Sequence, residues 1–380
     1  MRWLRGTRIA AAFVAAWVAV LVSLTSVAHA DPIFTLPPGY FAEVYASGFT
    51  NALSGITVDS QSNLYAADGG RVIKIDSGGN VSTAFSDPGF GSQSELVHDA
   101  QNRVYYLQSR ETDPLGSLYQ ISPNGQAVPL AGGFGVTHCL AISSQGTIFE
   151  VDRSYLAAFS LPAGFPGDER VVQVDSGGNE ALVGYPTLGD YGGAIVTLDG
   201  RLLLASSNSN AQLVQLNSDG SETVILQNSP LFNPRGMAFG SDGLLYISDK
   251  GALVGNHTGD IRIFTLDLAD PLDSLKLFAT IDYGGAQFGG PTYLAFGGDN
   301  DLFVSSGGIS DPTLLGNIVL ISTDESLPAP IQISQIPTFV PEPSTFALFG
   351  FSLLGLAGIR GYDAGKRKGT NEDVHQRRYN

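Results

Sequence analysis

The sequence predicts an all-β fold: a six-bladed β-propeller closed by its own N-terminal strand and followed by a single short C-terminal apolar helix. Three observations predict it. Six segments repeat one pattern of apolar strand, polar turn and second apolar strand. The turns between strands are rich in Gly, Asn and Asp. No stretch of the body places apolar residues at helical spacing over a window of about 11 residues.

The repeats are ITVDSQSNLY from Ile56, LVHDAQNRVY from Leu96, LAISSQGTIF from Leu140, AIVTLDGRLL from Ala194, MAFGSDGLLY from Met237 and LAFGGDNDLF from Leu294. Their starts lie 40, 44, 54, 43 and 57 residues apart. A constant pattern at uneven spacing is what loops inserted into equivalent units produce. Each unit goes on to a third and fourth strand. RVIKID (71–76) is followed by the turn Ser77-Gly78-Gly79-Asn80 and VSTAF, and later units carry SLYQIS, QLVQLN, DIRIFTLD or NIVLIS in the same place. Asn124-Gly125 and Asp219-Gly220 supply the positive φ that tight hairpins need. Four short strands per unit make a propeller blade. In the third unit the outer strands are either YLAAFSL with RVVQVD, or RVVQVD with EALVGY. The last unit stops one strand short at Ile321-Ser322, and FAEVYAS (41–47) has the alternation to complete it. A ring closed in this way has no free sheet edge.

The segments GITVDSQSNLYAAD (55–68) and NPRGMAFGSDGLLYISD (233–249) resemble NHL-type and gluconolactonase-like six-bladed propellers. LPPGYFAEVYASGF (36–49) resembles the start of propellers related to soluble sugar dehydrogenases. These resemblances imply a fold more than an activity, because this fold hosts many functions.

Both ends of the chain read as addresses. Arg2, Arg5 and Arg8 precede an apolar run (9–22), and Ala28-His29-Ala30 offers a signal-peptidase site, so 1–30 is expected to be a signal peptide cleaved after Ala30. At the other end Val340-Pro341-Glu342-Pro343-Ser344-Thr345 leads into a short apolar stretch, then Arg360, Lys366, Arg367 and Lys368. Positive charge after the helix should stay cytoplasmic and leave everything before Pro341 outside. This tail resembles the PEP-CTERM sorting signal of Gram-negative bacteria, with Pro341, Glu342 and Pro343 as its motif. The resemblance implies recognition by an exosortase, a membrane-embedded cysteine protease-transpeptidase. It also implies passage to the cell surface or extracellular matrix after a transient stay in the inner membrane. The chain here runs on past the basic cluster through Gly369 to Asn380. The expected organisation is a signal peptide (1–30), propeller (31–326), linker (327–340), sorting signal (341–368) with a transmembrane helix (345–359), and polar tail (369–380).

Between the two ends, residues 31–340 hold 11 Lys and Arg against 32 Asp and Glu, a net charge of −21. That excludes a nucleic-acid partner, which needs a basic face. The one cysteine, Cys139, excludes an intramolecular disulfide. It lies in an apolar strand pattern beside His138, and strand neighbours face opposite ways, so the two are not a nucleophile and its base.

In a propeller the residues just before each innermost strand face the central channel, and the ends of the second strands ring the same mouth. The first set includes Ser54, Glu95, His138, Gly193, Arg235 and Tyr293. The second includes Asp68, Arg110, Asp152, Asn208, Asp249 and Ser306. Asp68, Glu95, His138, Arg235 and Asp249 are the candidate binding residues of this mouth. The lactonase resemblance implies a divalent metal held by Glu, Asn and Asp. Asp249 matches the Asp, but Arg235 stands where the Asn belongs, and a guanidinium only donates. The dehydrogenase resemblance needs a basic His, and Cys139-Leu140 after His138 departs from that family's glycine-rich motif. Acidic loops such as Asp99-Ala100-Gln101-Asn102, Asp242-Gly243 and Gly298-Asp299-Asn300-Asp301 sit where the blade pattern wants turns and lack the spacing of a twelve-residue calcium loop. No P-loop and no G-x-S-x-G elbow occurs in the sequence.

The sequence therefore reads as an exported, exosortase-sorted binding protein that meets exopolysaccharide or envelope proteins, with no cofactor and no metal. The alternative is an enzyme, motivated by Glu95, His138 and Asp249 meeting at one mouth: a metal-assisted lactone or sugar hydrolase, or a quinone-dependent sugar dehydrogenase.

Overall fold

The computed structural model describes residues 32–86, 93–109, 116–122, 125–153, 169–207, 211–250, 260–283, 292–306 and 316–333. The chain divides into two units, Met1–Ser334 and Gln335–Asn380. All described residues belong to the first. The signal segment, the sorting motif and the apolar stretch 345–359 lie outside them.

Two strands, β1 (Ile33–Thr35) and β2 (Phe41–Ser47), precede the blades. The first blade is β3 (Leu53–Val58), β4 (Leu64–Asp68), β5 (Arg71–Ile75) and β6 (Val81–Ser86). The second is β7 (Gln93–His98), β8 (Val104–Ser109), β9 (Gly116–Ile121) and β10 (Ala127–Phe134). The third is β11 (Val136–Ile142), β12 (Ile148–Arg153), β13 (Glu169–Val174) and β14 (Glu180–Gly184). RVVQVD thus pairs with EALVGY, the second of the two arrangements the sequence allowed. The fourth blade is β15 (Tyr191–Val196), β16 (Leu202–Ser206), β17 (Leu213–Leu216) and β18 (Glu222–Leu226). The fifth is β19 (Pro234–Phe239), β20 (Leu245–Lys250), β21 (Ile261–Leu266) and β22 (Lys276–Asp282). The short helix α1 (Pro271–Ser274) sits between the last two strands, and β1 is added outside β22. The sixth blade is β23 (Leu294–Phe296), β24 (Leu302–Ser306) and β25 (Asn317–Ser322), with β2 as its fourth strand.

The fold is the all-β six-bladed propeller that the repeats predicted, and the N-terminal strand closes it. β2 runs antiparallel to β25 from Phe41↔Ser322 to Ala46↔Ile318. A two-residue strand, β26 (Ile331–Gln332), lies parallel to β2 on its outer side, within the stretch expected to be linker. The Gln332 amide donates to Ser47 Oγ at 2.8 Å there.

The core lies between blades. Tyr65, Val72 and Phe85 of the first blade pack against Leu96, Tyr106 and Ile121 of the second, and similar clusters fill four further inter-blade faces. Second strands touch a neighbouring blade on both faces, which explains why LYAAD, LLLAS and LFVSS are buried at every position. Fourth strands reach solvent and alternate, as in KLFATID of β22. Asp76 shows how a blade turn is made. Its carboxylate accepts from the Gly78 and Asn80 backbone N–H groups at 2.9 Å each, while Gly79 supplies φ +79°. No described helix is long and apolar enough to cross a membrane.

Candidate functional site

The six innermost strands surround a cavity of about 290 Å³. At its mouth the ladder between first and second strands is interrupted by bulges in four blades: between Leu53 and Ile56, Thr137 and Cys139, Tyr191 and Gly193, and Pro234 and Met237. A bulge bends its strand and re-aims the unpaired side chains. Ser54, His138 and Arg235 stand at these irregularities. Two glycines let neighbouring inner strands come close enough to close the ring. A Cβ on Gly193 would sit 2.0 Å from Arg235 O, and one on Gly236 would sit 2.7 Å from Leu294 N and Thr292 O.

Three polar residues meet in the cavity wall at this end: Glu95, Arg235 and Tyr293. Glu95 is 8% exposed. Its carboxylate accepts from the Leu140 backbone N–H and from the Tyr293 hydroxyl. Burial pushes its carboxyl up to about 8, although those hydrogen bonds and the Arg235 charge pull the other way. The Tyr293 phenol is driven well up, first by burial and then by the Glu95 charge. Arg235 is half-buried, and its Nε donates to Asn233 Oδ1 at 3.0 Å. Toward the other end of the cavity Thr57 Oγ1 lies 2.7 Å from His98 Nδ1.

The other sequence-predicted residues are placed differently. His138 does not line the cavity; its Nε2 lies 3.9 Å from Glu169 Oε1. Glu169 is fully buried and accepts from the Asp190 backbone N–H at 2.6 Å. Cys139 is buried between the third and fourth blades. Burial, followed by the charges of Glu95, Glu169 and Glu150, raises its thiol well above the ordinary range, so it stays protonated. Asp68 and Asp249 are 1% and 0% exposed and do not line the cavity either. Asp68 accepts from the Asn51 N–H at 2.7 Å and from Arg71 Nη2 at 2.6 Å. Asp249 accepts from the Phe232 and Asn233 N–H groups at 2.9 and 2.6 Å and from Arg262 Nη2. Glu95 and Arg235 are therefore the two candidates that the fold brings together.

The residue that sequence reasoning missed is Glu150, in the middle of β12. It is fully buried, and among the described residues neither carboxylate oxygen has a hydrogen-bond partner. Also missed was the role of the arginines that open third strands. Asp68, Asp152 and Asp249 alternate around the ring with Ser109, Ser206 and Ser306 at the ends of second strands. Each Asp faces Arg71, Arg170 or Arg262 across the ladder. The paired appearance of Asp and Arg in alternate blades was readable in the sequence.

Comparison with known proteins bears first on the tail. The family model of the PEP-CTERM protein-sorting motif matches residues 339–360. The chain carries a PEP-CTERM sorting motif. This signal is the one exosortase recognises, and it marks the protein for export and sorting to the cell surface. The PEP-CTERM match spans only the tail, and no curated protein is detectably similar to the chain in sequence. Solved structures resemble the body. The PQQ domain of pyranose dehydrogenase from Coprinopsis cinerea aligns at 12% identity and TM-score 0.55, over 77% of this chain and 97% of that one. A gluconolactonase from Xanthomonas campestris aligns at 16% and 0.53, over 77% and 94%. PQQ-bound aldose sugar dehydrogenase from Streptomyces coelicolor aligns at 14% and 0.52, over 76% and 99%. At such identities the likeness establishes the six-bladed fold alone.

The residues present do not fit a lactonase-type metal. Asp249 is already saturated by two backbone N–H groups and Arg262, and the position beside it holds the cationic Arg235. Among the described residues no group of three His, Cys, Asp or Glu side chains could hold a metal ion. Nor does a basic His face the cavity at the position of His138, as a quinone-dependent dehydrogenase would need.

Proposed function

We propose that this protein is a binding propeller displayed on the cell surface, which contacts exopolysaccharide or an envelope protein through the channel mouth around Glu95 and Arg235. The PEP-CTERM motif at 339–360 carries the reading, because it addresses a rigid scaffold with a polar-mouthed cavity to the envelope. In this reading the segment 1–30 is removed on export. The apolar helix 345–359 then holds the chain in the inner membrane until exosortase acts at Pro341, Glu342 and Pro343. Residues 31–326 form the delivered body, 327–340 tether it to the sorting signal (341–368), and 369–380 trail on the cytoplasmic side.

The enzymatic alternative draws on the names of structural neighbours, a gluconolactonase and two sugar dehydrogenases. It asks Glu95, His138 and Asp249 to serve in chemistry. Glu95 instead accepts from the Leu140 N–H and the Tyr293 hydroxyl, His138 faces Glu169, and Asp249 is paired with Arg262, which favours binding over catalysis.

Fractionation of producing cells tests the proposal. An epitope placed in the propeller should reach the surface or matrix fraction when exosortase is present and stay with the inner membrane when Glu342 is replaced by Ala. The surface-derived protein should be retained on the cells' own exopolysaccharide. Equal surface delivery without exosortase, or passage through that matrix unretained, rejects the reading.

A further inference from the structure

We infer that the channel mouth is a site for a carboxylate-bearing sugar, a uronate, whose carboxylate is received by Arg235, with the Lys250 charge at the edge of the site. The inference rests on the binding role proposed above and names the ligand of that same site.

Two positive charges converge here on a chain that is otherwise strongly acidic. Arg235 lines the cavity and its Nε donates to Asn233 Oδ1 at 3.0 Å, while the main chain of Lys250 is held beside it, its backbone N–H donating to the Asn233 carbonyl at 3.2 Å. Burial, then the Arg235 charge, lowers the Lys250 ammonium from its ordinary range. Among the described residues neither cation has a carboxylate in salt-bridge contact. Other buried or half-buried arginines of the blades, Arg71, Arg170 and Arg262, all have one. Two half-buried cations that repel each other, with no ion-pair partner and only Glu95, held up to about 8 by burial, near Arg235, are relieved when an anion arrives.

The chemistry of the surroundings selects the anion. Arg235 spends its Nε on Asn233 and keeps its Nη pair, and that planar fork matches a carboxylate. A dianion such as phosphate would meet the negative field of the chain, at −21 between residues 31 and 340. A monoanion suffers less from it. The cavity of about 290 Å³ is at the small end of the roughly 300–1,000 Å³ common to ligand sites. It suits one sugar ring better than a long chain. Tyr293 and Glu95 offer a hydroxyl and a carboxyl to ring hydroxyls. Leu96, Leu140 and Met237 line the walls against the ring's apolar face.

Calorimetric titration of the full-length protein, purified from cell envelopes, with D-glucuronate, D-glucose and inorganic phosphate tests the assignment. Glucuronate should bind, glucose at least about tenfold more weakly, and phosphate no better than glucose. Arg235→Gln should lose about tenfold or more of the glucuronate affinity, as expected for a charge-assisted hydrogen-bond pair. Lys250→Gln, at the edge of the site, should lose a smaller factor and melt at the wild-type temperature. Equal binding of glucose, tighter binding of phosphate, no glucuronate binding, or unchanged affinity in both variants overturns the inference. The last outcome leaves the surface-binding role intact if the variants are still retained on exopolysaccharide. Loss of that retention in wild type, with glucuronate still bound, would instead reject the role and keep the site.

Discussion

Asp249 and Arg262 face each other across the β20–β21 ladder and make the contact that Asp68 and Arg71 make in the first blade and Asp152 and Arg170 in the third. In each blade the buried carboxylate also accepts backbone N–H groups from the loop entering the innermost strand: Thr50 and Asn51, Gly135, or Phe232 and Asn233. The Asp thus pins the loop that sets the mouth of the channel. In the fifth blade the pinned residue, Asn233, goes on to hold Arg235. Asp249 therefore acts on the cavity through two intervening residues and without touching it.

Replacing Asp249 by Ala should destabilise the protein rather than remove a ligand. Two backbone donors would lose their acceptor, and the Arg262 guanidinium would lose its carboxylate and keep only the Pro230 carbonyl at 3.1 Å. Breaking a buried pair costs roughly 3–5 kcal/mol. Arg262 keeps some contact with water, at 26% side-chain exposure, so about 2–4 kcal/mol is expected. Denaturant unfolding of D249A and D68A checks this. A wild-type midpoint in both variants would show that these carboxylates do not anchor the blades.

Glu150 should be improved by removing its charge. It sits on β12 with Leu140 and Val172 opposite it on the flanking strands, and with both oxygens unpartnered among the described residues. Burial, and then the charge of Asp152, drives its carboxyl well above the usual range. An unsatisfied buried polar group costs on the order of 1–3 kcal/mol, so Glu150→Met should gain a comparable amount. A loss of stability in E150M would mean that the carboxyl has a function in the folded protein.

Stability should fall as pH rises from mildly acidic to alkaline. Glu95 has an ordinary value of 4.5 and is held at about 8 in the fold; Glu150 is raised as well. Between those values the native state binds protons that the unfolded chain has lost. The stability that Glu95 contributes is therefore complete below about 4.5 and disappears as pH passes about 8, and Glu150 acts in the same sense. Glu95 faces Leu140 N–H, Tyr293, Arg235 and Cys139, while Glu150 faces Asp152, Arg170, Glu95 and Glu180. Asp76 and Asp175 act in the opposite sense in acid, because hydrogen bonds from Asn80 and Asn179 hold their carboxyls low. Thermal melts between pH 5 and 9 should decline, and Glu95→Gln should flatten the decline. The same slope in E95Q would rule out Glu95 as its source.

The blades were legible because a propeller repeats its instructions. ITVDSQSNLY and MAFGSDGLLY state the same strand, turn and strand, and the closing strand FAEVYAS announced itself by alternation and by the missing strand of the last unit. The site was legible only in part. Sequence position brought Asp68 and Asp249 to the mouth with Glu95 and Arg235, since all lie at the same end of their strands. Which of them faces the cavity depends on bulges such as the one between Pro234 and Met237, and local pattern does not reveal these. Glu150 was hidden for a simpler reason. A charged residue inside IFEVD reads as an exposed position of an alternating strand, whereas a second strand is covered on both faces.

Removing residues 31–47 should drive the protein to associate through an opened sheet edge. β2 supplies the outer partner of β25, whose last five residues are all buried, and β1 adds the outermost strand of the neighbouring fifth blade. Without them β25 presents an unpaired edge lined by Ile318, Val319, Leu320 and Ile321, which invites pairing with another chain. β26 cannot take over the vacated place in the same way. It has two residues, runs parallel to β2, and meets β2 only at Ala46 and Ser47. The expected product is aggregated or domain-swapped, visible as high-mass species by size-exclusion chromatography with light scattering. Adding back a peptide of residues 36–49 should reduce that association by filling the edge. A truncated chain that associates no more than the full-length protein and melts like it would show that the ring closes without its N-terminal strand.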